Sequence, residues 1–255
     1  MQENFPPQIG TQIVQVGLTT AELELSVSIH EPEGRDNGPS FLELASAMPR
    51  VSMWSLVTFR VIDVVLALAG LLLLAPLLAT LGALVRLTGA GPTLFKQQRV
   101  GRSGDLFEVV KFRTMTDGTH DAVLSDPEAR RRYEQNDFKL FSDDPRITRI
   151  GRLLRKSSLD ELPQLINVLR GQMSLVGIRP LLPQEVTQRS EYDQQLYRLL
   201  KPGLTGLWQV EGRSAIGDDH RIELDRRSVE TWTVRSALRI LARTPKAVLV
   251  GIGAH

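Results

Sequence analysis

Cysteine is absent from the 255 residues. That excludes disulfide frameworks, iron–sulfur clusters, thiolate zinc sites and cysteine nucleophiles. Histidine is scarce: His30, His120, His220 and His255 lie far apart, which argues against a His-rich metal site. Neither phosphate-loop pattern, G-x-x-x-x-G-K-[ST] or G-x-G-x-x-G, occurs. The N-terminal region lacks the basic start and early apolar stretch of a secretory signal. There are no internal repeats. Net charge is nearly absent too, at +2, and mean hydropathy is −0.09. Those averages describe an ordinary chain of one or two domains, long enough to bury a core. Carboxylates, arginines and a hard metal remain to carry any chemistry.

The averages conceal two asymmetries. Residues 1–50 hold seven acidic groups (Glu3, Glu22, Glu24, Glu31, Glu33, Asp36, Glu43) and two basic ones (Arg35, Arg50), a net of −5, so the remainder carries +7. Val64 to Val85 is a run of 22 residues without a charge. As one straight helix it would extend about 33 Å, enough to cross a bilayer's hydrocarbon. Pro76 near its middle cannot donate to the Leu72 carbonyl, so a kink is expected. Basic residues flank both sides, Arg60 and Arg86, and give no orientation. A kinked span and a re-entrant hairpin fit equally well.

Three regions follow. Residues 1–50 form an acidic extension with a breaker cluster, EPEGRDNGPS, and are expected to be mostly disordered rather than a short strand pair. Residues 51–90 carry the membrane segment, and 91–255 the remaining domain. In the latter, two Phe- and Val-rich runs around GRSGD read as a β-hairpin. Residues 126–140 read as a polar helix. Pro145 is expected to open a helix to about Lys156, with Ile147, Ile150, Leu153 and Leu154 on one face and Arg149, Arg152 and Arg155 on the other. The default for such a stripe is a solvated face, though beside a membrane segment it suits anionic headgroups or phosphates. Further helices are expected at about 160–170, 190–200, 218–230 and 233–250. The last carries a basic edge of Arg235, Arg239, Arg243 and Lys246.

The densest acid–base cluster is RKSSLDELPQL, residues 155–165. Ser158-x-x-Glu161 matches a capping box, and first-turn acids suit a helix dipole, so Asp160 and Glu161 have a plain structural explanation. Pro163 fits better if Asp160 is the N-cap, which places Asp160 beside exposed N–H groups suited to phosphate. With Arg155 near, its pKa is expected to be lowered, as a nucleophile needs. The neighbouring carboxylate could hold Mg²⁺ together with phosphate oxygens. Lys111 and Arg113 share a strand face. Arg179 sits in the Pro-flanked turn IRPLLP, where a fixed guanidinium suits bidentate phosphate binding. The loop KPGLTGLWQVEGRS, residues 201–214, offers glycine N–H groups and Trp208 as a stacking surface.

Taken in order, these pieces resemble the bacterial sugar transferases, the monotopic phosphoglycosyl transferases. They are Arg60-x-x-Asp63 before the proline-centred apolar block, FKQQRVGRSGDLFEVVKFRTM, DDPRITRIGRLLRKSSLDELPQLINVLRGQMSLVGIRPLLP, KPGLTGLWQVEGRS and the C-terminal helices, over roughly residues 54–255. The resemblance implies an α+β, mainly α, monotopic membrane protein, with a re-entrant membrane helix kinked at Pro76, a small β-hairpin and amphipathic surface helices. It implies the bacterial inner membrane, with the catalytic domain on the cytoplasmic face. The implied reaction moves a sugar-1-phosphate, galactose or glucose by the type of loop, from a UDP-sugar to undecaprenyl phosphate. UMP is released, in exopolysaccharide or O-antigen synthesis. Carried over, Asp160 is the nucleophile and Glu161 the Mg²⁺ ligand. Arg155, Arg179, Lys111 and Arg113 bind phosphate. Gly203, Thr205, Gly206, Trp208, Gln209 and Arg213 shape the nucleotide-sugar pocket. Membrane lipids are implied partners, a homodimer is kept open, and nothing calls for nucleic acid. One departure is Ala75 before the central proline, where members often have Ser. Two rival readings are a metal-dependent phosphohydrolase using the same carboxylates and a non-catalytic membrane scaffold of polysaccharide export.

Overall fold

The computed structural model describes residues 53–89, 91–116, 125–128, 130–131, 144, 146–212 and 217–250. The acidic extension, most of the helix expected at 126–140, Pro145 and Arg213 lie outside the described residues.

The apolar block forms two helices, α1 (Met53–Leu73) and α2 (Ala75–Leu87). The break falls at Leu74, and Pro76 sits in the first turn of α2, where its missing N–H leaves no helical bond unmade. The Leu74 and Leu78 amides still donate to Gly70 and Leu74 carbonyls. At the kink, Leu72 and Leu73 are 69% and 81% exposed. Away from it, both arms rest on the same body. Phe59 of α1 meets Trp232 edge to face, with centroids 5.4 Å apart. Arg60 donates to the Val168 and Leu169 carbonyls at 2.7 and 2.9 Å. The buried Asp63 carboxylate accepts from Ser174 Oγ and Leu175 N. At the far end Leu81 and Val85 of α2 pack with Phe112 and Leu154. Among the described residues one helix, Trp54–Leu73, is long and apolar enough to cross a membrane.

The hairpin is as expected: β1 (Leu94–Val100) pairs antiparallel with β2 (Leu106–Phe112), Gln97 opposite Val109. Arg102–Gly104 turns between them, with Ser103 and Gly104 at positive φ. The next helix, α3 (Arg149–Ser157), starts later than the proline suggested. Ile147 is still extended, bridged to Met115, and the Thr148 hydroxyl caps the helix by accepting from Gly151 N. The apolar face is also narrower than expected. Ile147 and Leu154 are buried, but Leu153 is 60% exposed, because Gly151 occupies the contact with Thr114.

Ser158 ends α3 in the left-handed region (φ 56°), so neither expected cap forms. Instead Leu159–Gln164 makes a 3₁₀ turn containing Asp160, Glu161 and Pro163, followed by α4 (Leu165–Leu169). Asn167 of α4 is fully buried; it donates to Glu108 O and accepts from Val110 N, locking the hairpin edge against this turn.

An unanticipated parallel pair follows, β3 (Ser174–Val176) with β4 (Gly203–Thr205). Between them lie α5 (Pro183–Thr187), also unanticipated, and α6 (Glu191–Tyr197). The chain ends in α7 (Leu207–Glu211), α8 (Asp218–Glu230) and α9 (Val234–Val250). Arg235, Arg239, Arg243 and Lys246 form an exposed edge of α9, while Ala237 and Ile240 are buried. The main core gathers Phe59 and Ala67 of α1 with Phe107, Val109, Val168, Met173, Leu175, Trp232 and Ile240.

Gly151 allows α3 to lie on the strand exit: a Cβ there would sit 2.0 Å from the Thr114 carbonyl oxygen. Gly151→Ala is therefore expected to cost about 1–3 kcal/mol and to lower activity as α3 is pushed away. A thermal melt in detergent measures this; an unchanged midpoint would refute the contact's role.

Candidate active site

A cavity of about 330 Å³ opens between the 3₁₀ turn, the hairpin, the 178–180 turn, β4–α7 and α9. Cations reach it from separate elements: Arg99 on β1, Lys111 on β2, Arg155 on α3 and Arg179 after β3. Glu161 lies at its wall, where the Lys111 ammonium donates to Oε1 at 3.0 Å. Asp160 is in the same turn and only 9% exposed.

The two carboxyls are driven apart. Burial alone would raise Glu161, but Lys111, then Arg179 and Arg99, overcome it and hold the group below the ordinary carboxylate range. Asp160 goes the other way. Burial first, then the Glu161 charge, push it up to about 6 against the attraction of Lys111 and Arg155. The lowered pKa expected for Asp160 is thus reversed. Neither helix cap formed, and the cations' main effect falls on its neighbour. A carboxylate with a raised pKa is a stronger base and nucleophile once ionised.

Arg155 donates through Nε to Thr114 Oγ1 at 2.9 Å, which aims it from α3 toward the site. Arg179 donates to Glu185 Oε1 at 3.2 Å. Its turn is held by the buried Tyr197 hydroxyl, which accepts from Leu181 N and lies 3.1 Å from the Arg179 carbonyl oxygen. Gly203, Thr205, Trp208 and Gln209 line the cavity. Thr205 Oγ1 lies 2.9 Å from Thr244 Oγ1 on α9. Trp208 has Arg221 over one ring face, at 4.9 Å. Trp208 Nε1 and Gln209 Oε1 are buried with no hydrogen-bond partner among the described residues.

Among the described residues, four expected site residues are not among those lining the cavity. Asp160 is one: it is buried in the 3₁₀ turn next to Glu161. β2 ends at Phe112, so Arg113 leaves the strand face and donates to the Val85 and Gly89 carbonyls at the end of α2. Gly206 packs on Gly177, whose carbonyl oxygen would meet its Cβ at 2.3 Å. Pro76 stays in the apolar kink, away from the cavity.

Two further residues were not singled out in the sequence. Arg99 is 5% exposed and donates to Pro180 O, to Gln97 Oε1 and to Glu185 Oε2. Glu185, 8% exposed, thus ties Arg99 to Arg179 and also accepts from Leu182 N. Alternation places Gln97 and Arg99 on one strand face, a usable signal. Nothing local marks Glu185, which reaches Arg179 only because the chain doubles back between Pro180 and Pro183.

Glu161 and four cations line this cavity, with Asp160 buried beside Glu161 in the same turn; guanidinium and ammonium groups so arranged suit an anionic ligand. Comparison with known proteins gives the family. The bacterial sugar transferase profile matches residues 54–251, and the chain belongs to that family. It is 44% identical over 200 residues to the undecaprenyl-phosphate galactose phosphotransferase of Salmonella typhimurium, covering 77% of this chain and 41% of that protein. It is 37% identical over 203 residues to an exopolysaccharide production protein of Rhizobium meliloti, covering 77% of this chain and 87% of that one. Similarity to the undecaprenyl-phosphate glucose phosphotransferase of Komagataeibacter xylinus is 36% over 220 residues, with 82% and 39% covered. The chain thus matches about two fifths of the galactose and glucose enzymes' length.

Replacing Glu185 by Ala would leave the buried Arg99 guanidinium without its carboxylate. A stability loss of about 3–5 kcal/mol is expected, read as a lowered melting midpoint. A midpoint within about 0.5 kcal/mol of wild type would show that the pair is dispensable.

Proposed function

We propose that this protein transfers a hexose-1-phosphate from a UDP-hexose to undecaprenyl phosphate through a covalent intermediate on Asp160. The supporting observation is Asp160 itself: a buried carboxyl raised to about 6 beside Glu161, within reach of the Lys111 and Arg155 charges. The relatives' names supply the acceptor and, as galactose or glucose, the sugar class.

In the first step an Asp160 carboxylate oxygen bonds to the β-phosphorus of the UDP-sugar. The bond from that phosphorus to the bridging oxygen breaks, and UMP leaves with the oxygen and its electron pair. In the second, a phosphate oxygen of undecaprenyl phosphate bonds to the same phosphorus. The Asp160–phosphorus bond breaks and the carboxylate is regenerated. Splitting the transfer lets a soluble donor and a lipid acceptor use one carboxylate in turn. Arg155 and Arg179 are the groups offered to the phosphoryl oxygens, and Lys111 keeps Glu161 charged. The unpartnered Trp208 Nε1 and Gln209 Oε1 supply a donor and an acceptor for the nucleotide-sugar end.

Mg²⁺ fits this donor set. Among the described residues no group of three or more His, Asp or Glu forms a closed metal cage. Glu161 has Lys111 on Oε1, and Oε2 accepts no bond from a described residue. Mg²⁺ typically takes one or two carboxylates and completes its shell with phosphate oxygens and water. Glu161 would hold it, and when bound it would neutralise phosphate charge.

The packing supports a re-entrant membrane segment. Arg60 and Asp63 on α1, and Val85 on α2, all touch one body, while the kink at Leu72–Leu73 is exposed. A straight span would separate its ends by the full hydrocarbon thickness, about 30 Å. The body would then lie at one face, the cytoplasmic face of a bacterial inner membrane, where UDP-sugars are made. Exopolysaccharide synthesis is the context the relatives' names offer.

One assay with a panel of UDP-sugars and Mg²⁺, with and without undecaprenyl phosphate, tests the reading. Lipid-dependent product and UMP are expected. Sugar phosphate released to water at a comparable rate would mean a hydrolase, and no turnover with any donor would leave a scaffold. Asp160→Asn should abolish turnover, and wild-type activity in it would refute the nucleophile. That variant should still fold. A carboxyl raised in the folded state stabilises the fold below its unfolded pKa of 3.8, and that contribution is lost as pH rises through about 6. Asn therefore should melt no lower than wild type, and higher above pH 6.

The nucleophile must be ionised, so kcat/KM should fall as pH drops through about 6. An acid limb centred near 3.8 would contradict the environment described for Asp160.

A further inference from the structure

A second group of cations lies outside the catalytic cavity, where α1, the hairpin turn and the start of β4 converge. Arg60 comes from α1, Arg102 from the hairpin turn and Lys201 from the residues just before β4. None of the three lines the cavity. Arg60 and Lys201 meet at Gly171, just past α4, at φ +79°, and the Arg102 charge acts on Lys201. A Cβ built there would lie 3.4 Å from Arg60 Nη2 and 3.7 Å from Lys201 Nζ. Two cationic head groups therefore converge on the same glycine. The positive φ there favours glycine.

The counter-charge is inadequate. Asp63 is the acidic group that acts on Lys201, and its carboxylate is already committed to Ser174 Oγ and Leu175 N. Arg60 spends two N–H groups on the Val168 and Leu169 carbonyls. Lys201 and Arg102 form no side-chain hydrogen bond or ion pair with a described residue. Lys201 is half-buried. Burial, then Arg60 and Arg102, press its ammonium below the ordinary lysine range, against the pull of Asp63. Half-burying an ammonium beside two guanidinium groups costs stability unless an anion completes the set.

We propose that Arg60, Arg102 and Lys201 form a second anion site that takes a phosphate group, separate from the catalytic cavity. Guanidinium and ammonium donors brought together match the several oxygens of a phosphate. The site lies one helical turn from the exposed apolar residues Val57 and Val61 on α1. It is therefore within reach of a lipid headgroup as well as of dissolved phosphate. The site stands whether or not Asp160 is the nucleophile, because it uses none of the same side chains.

The test is lysine reactivity in the full chain, read residue by residue by mass spectrometry after brief acetylation at alkaline pH. In dodecyl maltoside without phosphate, Lys201 should label faster than the exposed Lys156. Inorganic phosphate is added in detergent in one arm. In the other, the chain is placed in phosphatidylglycerol nanodiscs. Several-fold slowing of Lys201 labelling by phosphate assigns the site to dissolved phosphate groups. Slowing by the nanodiscs alone assigns it to a lipid headgroup. In either case Arg102→Ala, a surface change, must abolish most of the slowing. No slowing in either arm would overturn the proposal. So would slowing that Arg102→Ala leaves intact, since that is occlusion rather than ion binding.

Discussion

Two carboxyl groups joined by a single peptide bond cannot both be taken out of water and stay charged unless cations are brought to them. Asp160 is buried and the Glu161 side chain is 38% exposed, and cations are brought to both. The cations come from β1, β2, α3 and the turn after β3, four places distant in the chain. Their effect is unequal by design of the geometry. Lys111 touches Glu161 directly, so the charge settles there. Asp160, deeper and next to a permanent negative charge, is left with a weakened hold on its own. The two neighbouring carboxyls are thereby shifted in opposite directions.

Holding arginines close together raises a second electrostatic problem, and Glu185 resolves it. Its two oxygens bind Arg99 and Arg179 separately, so the guanidinium groups stand side by side without facing each other unshielded. The backbone supplies the rest of the stiffness. β3 and β4 approach so closely that a Cβ at Gly177 would lie 2.4 Å from the Lys201 carbonyl oxygen. α3 is set on Thr114 through Gly151. The two apolar helices join the same scheme. Asp63 holds the start of β3, and Arg113 holds the end of α2, so the apolar segment and the cavity are parts of one packed unit.

Much of this was legible along the chain. The hairpin was readable because alternating Phe and Val runs flank a turn-forming GRSGD. The kink was readable because proline has no N–H to give. Lys111, Arg155, Glu161 and Arg179 could be picked out along the chain as candidate site residues; all four line one cavity, whereas Asp160 is not among the residues lining it. The short parallel pair was not, since three-residue strands have no periodicity to detect. The helix at Pro145 was misjudged by position, because a threonine hydroxyl and a β-bridge outweighed the proline. Arg113 looked equivalent to Lys111, but the strand ended between them.

The amino-acid order alone therefore determined which chemistry was open to this protein: no thiolate or clustered imidazole, a charge-free apolar block, and carboxylates among arginines. It determined the local elements wherever a single residue's covalent limits decide, as at Pro76. The tertiary structure alone decided the upward direction of the Asp160 shift, the partnership of Glu185 with two arginines and the meeting of Arg60 and Lys201 at Gly171. Those depend on burial and on charge at a few ångströms. Both are set by which distant segments pack together, and neither is a property of neighbours in sequence.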